Sequence, residues 1–123
     1  MELSKAQKLI TEAFGKNILV SAGAGTGKTR VLVERFINLV TNGQALVTEI
    51  LALTFTEKAA TEMKSRIRDR FKELGLEAAR RDLELAYIST IHAFASRVLR
   101  EHPIEACVDP DFKVLEAEEA DLM

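Results

Sequence analysis

Asn17-Ile18-Leu19-Val20-Ser21-Ala22-Gly23-Ala24-Gly25-Thr26-Gly27-Lys28-Thr29-Arg30 is the stretch whose reading decides the fold. A short apolar run enters a glycine-rich loop, and the loop opens directly into a helical pattern. The run predicts a buried strand over Asn17 to Ser21, and the pattern predicts a helix from Thr29 to Val40. Gly23, Gly25 and Gly27 let backbone N–H groups turn inward and approach a triphosphate, while the helix start adds the positive end of its dipole. At this spacing Lys28 reaches the β- and γ-phosphates and the Thr29 hydroxyl takes one position on Mg²⁺. The candidate nucleotide-binding set is therefore Ala22, Gly23, Ala24, Gly25, Thr26, Gly27, Lys28, Thr29 and Arg30, with Lys28 and Thr29 the candidate catalytic pair. Ala22 stands where the strict pattern has glycine. The competing reading is a glycine-rich turn with a merely exposed lysine, and the strand–loop–helix register weighs against it.

Working outward, Leu3 to Phe14 is predicted to be a short helix, with Ser4 its N-cap and Leu9, Ile10 and Ala13 on one side. The helix after the loop is apolar nearly all round (Val31, Leu32, Val33, Phe36, Ile37, Leu39, Val40), so it is expected to be buried on more than one side. Asn42-Gly43 supplies its stop. Ile50 to Phe55 is a second continuous apolar run, the pattern of a parallel strand covered on both faces. Glu57 to Leu74 is predicted to be an amphipathic helix with the stripe Ala60, Met63, Ile67, Phe71 and Leu74, ended by Gly75. A shorter helix over Leu76 to Leu85 precedes a brief strand, Tyr87 to Ser89. Thr90 to Glu101 follows as a helix with Ile91, Phe94, Ala95, Val98 and Leu99 inward, closed by Pro103. Asp109-Pro110-Asp111 is a turn before a short strand over Phe112 to Leu115, and Glu116 to Met123 begins a helical pattern. Strands alternating with helices across short connections mean βαβ units, an α/β fold with a mostly parallel sheet and right-handed crossovers.

Composition excludes several classes. At 123 residues, 47% apolar and net charge -2, the chain has the content of one compact domain and not that of a disordered segment. Its longest apolar runs fall well short of the roughly 20 residues of a membrane span, and no signal-peptide pattern opens it. The lone Cys107 has no internal disulfide partner, which makes a reducing cytoplasm the expected compartment. The two histidines and one cysteine show no metal-ligand spacing. Charge is segregated: residues 57–81 carry eight Lys/Arg against five Asp/Glu, and residues 101–123 carry eight Asp/Glu with Lys113 the one Lys/Arg. Two solvated helix faces explain that as readily as a nucleic-acid surface does.

Three further segments, read with the loop, resemble superfamily I DNA helicases of the UvrD/Rep/RecB type. Leu3-Ser4-Lys5-Ala6-Gln7 is similar to that family's Q motif, which implies that Gln7 reads the adenine edge with its amide donors and acceptor. Taken alone, Gln7 is a solvated helix residue. Leu53-Thr54-Phe55-Thr56-Glu57-Lys58-Ala59-Ala60-Thr61-Glu62-Met63 resembles motif Ia, which touches the DNA track. Thr54 and Thr56 hydroxyls and helix-start N–H groups suit phosphate oxygens, Lys58 adds charge, and Phe55 offers a stacking face. The competing reading puts Phe55 in the core and makes Thr56 an N-cap. Ser89-Thr90-Ile91-His92-Ala93-Phe94 resembles the family's T-x-H-x-F segment, implying that Thr90 and His92 face the DNA backbone. A lone histidine at a helix start is otherwise a structural hydrogen-bonder. Leu99-Arg100-Glu101-His102-Pro103 and Asp109-Pro110-Asp111-Phe112-Lys113-Val114-Leu115 resemble the RecB/AddA helicase–nuclease branch.

The resemblance implies a RecA-like P-loop NTPase domain of three αβα layers, incomplete here, with ATP and Mg²⁺ as cofactors. It implies single-stranded DNA as partner in repair or recombination, together with the remaining helicase domains and a nuclease domain or subunit in some relatives. The Mg²⁺ carboxylate that follows an apolar strand as Asp-Glu is not found; Phe112 to Leu115 runs instead into Glu116-Ala117-Glu118. The expectation is an N-terminal portion of a motor domain over residues 1–123 that binds ATP without turning it over. Two other classes stand beside it: a different P-loop protein such as a nucleotide kinase or switch, and an adaptor that binds DNA or a partner without using ATP.

Overall fold

The computed structural model describes residues 2–21 and 27–115. Helix α1 (Lys5–Glu12) starts as expected at Ser4, whose hydroxyl accepts from the Gln7 backbone N–H while the Gln7 side-chain oxygen accepts from the Ser4 N–H at 2.8 Å. This reciprocal pair forms a capping box. The buried side of α1 differs from the expected one. Leu9 is 64% exposed, and Thr11 is the residue that turns inward, its hydroxyl donating to the Lys8 carbonyl. The physical reason is the neighbour: α2 (Lys28–Thr41) grips the end of α1 by hydrogen bonds. Arg35 donates to the Ile10 and Ala13 carbonyls at 2.6 and 2.7 Å, and the Asn38 amide donates to the Thr11 carbonyl at 3.0 Å. Carbonyls at a helix C-terminus lack intrahelical partners, and these side chains supply them.

Helix α2 buries Val31, Val33, Phe36 and Ile37, while Leu32 on another side is half exposed. It ends at Asn42, after which Gly43 takes φ +68° and the Gln44 N–H returns to the Leu39 carbonyl. That left-handed residue is why the chain has glycine there. Strand β1 (Leu51–Thr54) and strand β2 (Tyr87–Thr90) form a two-stranded parallel sheet in the register Leu51 to Tyr87 through Thr54 to Thr90. Between them run α3 (Glu57–Glu73), α4 (Glu77–Asp82) and a 3₁₀ turn over Leu83–Leu85. Helices α5 (Ile91–Glu101) and α6 (Pro103–Ala106) follow β2.

The core lies between α2, α3 and one face of the sheet. Phe71, Ile67 and Leu83 are fully buried, with Phe36 tilted against Phe71 at 6.3 Å between ring centroids. The predicted α3 stripe is buried at Ala60, Met63, Ile67 and Phe71, while Leu74, just past the helix end, stays half exposed. Arg70 ties α3 to α2 with a two-pronged contact to Glu34, Nε to Oε1 at 2.9 Å and a second nitrogen to Oε2 at 3.4 Å. That hydrogen bonding to Glu34, with Glu73 adding to it and burial opposing, raises the guanidinium pKa further above its already high value.

Several expectations are corrected. Asn17 to Ser21 is not a paired strand, and Leu19 is 98% exposed. No strand among the described residues pairs with it, and an extended segment without a ladder partner is left solvated. Strand β1 is covered on one face: Ala52 packs on the core, but Leu51 and Leu53 point away and stay exposed. Helix α5 has no buried residue; Ile91, Ala95 and Val98 are exposed, and Phe94 and Leu99 are half-buried, because nothing among the described residues covers its outer side. Phe112 to Leu115 is not a strand. An Asx turn bonds the Asp111 N–H to the Asp109 carboxylate, and the Arg100 guanidinium lies 4.6 Å from the Phe112 ring centre. The helical pattern expected over Glu116 to Met123 lies outside the described residues.

Candidate functional site

The loop residues Ala22, Gly23, Ala24, Gly25 and Thr26 lie outside the described residues; the structure fixes what flanks them. Gly27 has φ +81°, and α2 begins there without a side-chain cap. The other helices of eight residues or more among the described residues, α1, α3 and α5, are capped by Ser4, Thr56 and Thr90. Lys28 is exposed on the first turn of α2, with Thr29 and Arg30 half-buried beside it. A helix start without a side-chain acceptor is suited to take an anion. Thr29 carries a hydroxyl on that turn, the donor type a Mg²⁺ site of this kind uses.

Gln7 comes to the same place. Its Nε2 lies 3.4 Å from where a Cβ on Gly27 would stand. Gln7 is half-buried, which corrects the reading of a solvated helix residue; its Oε1 already serves the capping box, and an amide oxygen has room for a second donor. A cavity of about 560 Å³ opens between α1, α2 and the Ile18–Ser21 segment, walled by Ile10, Ile18, Val20, Val31 and Leu32. Ser4, Gln7 and Lys28 also line it. This is a concave, mostly apolar site with a few polar groups, the usual character of a small-molecule pocket.

A second cluster forms at the carboxyl ends of β1 and β2. Thr54 and Thr90 are register partners, so segments 36 residues apart in sequence stand side by side. Each strand leads at once into a helix with a threonine cap: Thr56 Oγ1 accepts from the Ala59 N–H and Thr90 Oγ1 from the Ala93 N–H, both at 3.1 Å. Thr54 donates to the Thr56 carbonyl at 3.1 Å. Phe55 is 91% exposed, which overturns the core reading for that ring. His92 is exposed, with no hydrogen-bond partner among the described residues, and Lys58 is exposed with no carboxylate partner among them. Lys64, Arg66 and Arg70 are otherwise engaged, with Glu84, Glu62, and Glu34 plus Glu73.

The expected backbone-facing role of Thr90 meets an obstacle. Thr90 is 5% exposed, and its hydroxyl donates to the Glu57 carboxylate at 3.2 Å. Sequence reading missed Glu57 because its partner lies 33 residues away. It also missed Arg35 and Asn38, the residues that mount α1 on α2.

Among the described residues, no group of three or more His, Cys, Asp or Glu side chains is placed to hold a metal, and no helix is long and apolar enough to cross a membrane. The model of one family, the UvrD/REP helicase N-terminal domain, matches residues 3–123. The chain is 44% identical to an ATP-dependent helicase/nuclease subunit of Ligilactobacillus salivarius, a match that covers 93% of this chain and 10% of that protein. The protein of the same name from Pediococcus pentosaceus is 40% identical, covering 99% of the chain and 11% of the relative. That of Moorella thermoacetica is 45% identical over 87% of the chain and 8% of the relative. The chain thus spans about a tenth of the length of the curated relatives it matches.

Proposed function

Since the chain belongs to the UvrD/REP helicase N-terminal domain family, we propose that it is the ATP-binding front of a RecA-like helicase motor that works on single-stranded DNA in repair or recombination. The observation that carries this is that Gln7 and Lys28 line one cavity, with the Gln7 amide beside Gly27, while the two threonine-capped helix starts gather at the strand ends. Under this reading the 123 residues are the N-terminal portion of a three-layer P-loop domain. The exposed faces of β1 and α5 are then covered by the rest of that domain. Relatives are named as subunits of a helicase/nuclease, and the longer protein to which this portion corresponds would act with further motor domains, in the cytoplasm.

The residues divide the work as follows. The cavity's apolar walls take the base and Gln7 reads its edge. Gly27, Lys28, Thr29 and Arg30 hold phosphates at the start of α2, continuing from the loop residues Ala22 to Thr26. The Thr29 hydroxyl would hold one position of a Mg²⁺ ion, which would supply neutralisation of phosphate charge. Thr54, Thr56, Thr90 and His92 meet backbone phosphates, Lys58 adds positive charge, and Phe55 presents a ring for a base to stack on. A kinase or switch reading has no acceptor site among the described residues to support it, and the family match favours neither that reading nor an adaptor without ATP use.

The deciding experiment is a titration of the chain with ATP and Mg²⁺, with turnover followed with and without single-stranded DNA. Lys28-dependent binding without turnover supports the incomplete-motor reading, in which the Mg²⁺ carboxylate is supplied by sequence other than these residues. Binding that survives Lys28→Ala sinks the nucleotide site. A DNA-insensitive ATPase in the longer protein sinks the DNA motor.

A further inference from the structure

Among the described residues, Glu57 is the carboxylate that reaches into the strand-end cluster through a hydrogen bond. It sits on the first turn of α3, yet its Oε1 accepts from the Thr90 hydroxyl, at the first turn of α5. Thr90 Oγ1 already accepts from the Ala93 N–H. A hydroxyl has one proton to donate, and Glu57 takes it. A phosphodiester oxygen is an acceptor of the same kind, so phosphate and carboxylate compete for the same proton. They also compete for the same field, because both helix starts present positive dipole ends there. Thr90, at 5% exposure, is accordingly shut off from solvent in the resting chain.

We infer that Glu57 is an affinity-tuning residue that occupies the place of a backbone phosphate at Thr90, so that a nucleic-acid strand gains the α5 helix start only by displacing a carboxylate. The inference rests on the reading of this cluster as a DNA contact. It gives that contact a built-in weakness: Thr56 and Lys58 are exposed and accessible at once, while the Thr90 position opens under competition. A grip with one contested contact is easier to release than a fully open one.

The test is fluorescence anisotropy of a labelled oligo(dT) with the full chain at low salt, for wild type, Glu57→Gln, Glu57→Ala and Glu62→Gln. Glu62 is on the same helix and pairs with Arg66, so its variant removes one negative charge without touching Thr90. Melting curves for every variant confirm that each is folded. The expected result is binding tightened by roughly three- to tenfold in both Glu57 variants, the scale of one net hydrogen bond regained, with Glu62→Gln clearly smaller. Equal gains in all variants would mean general charge reduction, overturning the inference and leaving the DNA reading intact. Weakened binding in Glu57→Gln would mean that the carboxylate holds Thr90 ready for DNA, which also overturns it. If no folded variant binds oligo(dT) while Lys28-dependent ATP binding persists, the DNA reading itself falls and takes the inference with it.

Discussion

The amide nitrogen of Gln7 and the α-carbon of Gly27 are packed so closely that a methyl group on Gly27 would touch the amide at 3.4 Å. The contact sets the first helix against the start of α2. Gln7 and Lys28, the residue after Gly27, line the same cavity.

Gly27→Ala tests that contact. The added methyl meets Gln7 at ordinary contact distance, so crowding is minor. The cost comes from φ +81°, where a Cβ is disfavoured by roughly 1–2 kcal/mol. We expect a lower melting temperature and weaker ATP binding together. An unchanged melt with intact ATP affinity would show that the loop exit relaxes without penalty.

Lys28→Ala separates chemistry from folding. The side chain is exposed and belongs to no core contact, so thermal stability should stay within about 0.5 kcal/mol of wild type, as for ordinary surface changes. ATP affinity should collapse. Isothermal titration beside a thermal melt reads both quantities.

Arg35→Ala should act at a distance. It removes two donors from the Ile10 and Ala13 carbonyls and leaves the end of α1 held mainly by Asn38. Hydrogen bonds from a charged donor are worth roughly 1.5–3 kcal/mol. The loss should appear in the melt and as a reduced preference for ATP over GTP, since α1 carries Gln7. Equal weakening toward both nucleotides would mean that Arg35 serves stability alone.

Salt dependence distinguishes the basic residues. Lys58 has no carboxylate partner among the described residues, whereas Lys64 pairs with Glu84 at 3.6 Å. Lys58→Ala should lower the slope of log affinity for single-stranded DNA against log salt by about one. Lys64→Ala should leave it nearly unchanged. The reverse order would place the DNA along the middle of α3 rather than at its start.

Phe71→Ala probes the core. Phe71 is fully buried against Phe36, Ile67 and Leu83, and truncations of this kind cost about 3–5 kcal/mol. Against the marginal stability of a domain this size, the variant should be largely unfolded at 37 °C by circular dichroism.

The local sequence determined a good deal. Ser4 and Thr56 as caps, Asn42-Gly43 as a stop, the Ala60–Met63–Ile67–Phe71 stripe and the strand after Ala86 all follow from chemistry within a few residues of each position. The phosphate-loop reading rests on local spacing of the same kind, and its residues Ala22 to Thr26 lie outside the described residues. Leu9, Ile91 and Val98 were misjudged because periodicity shows that a helix has an apolar side but not which element covers it.

Contacts between distant segments were decided only by the tertiary structure. Thr54 stands beside Thr90 because β1 and β2 pair in parallel; Arg35 closes the end of α1 because α2 packs on it; and Glu57 reaches Thr90 across 33 residues. Sequence spacing specifies each segment's own conformation, whereas hydrogen bonds across segments depend on register and packing that no single segment contains. Thr90 shows the difference: the sequence made it a helix start and a candidate phosphate contact, and the fold decided that a carboxylate holds its proton first.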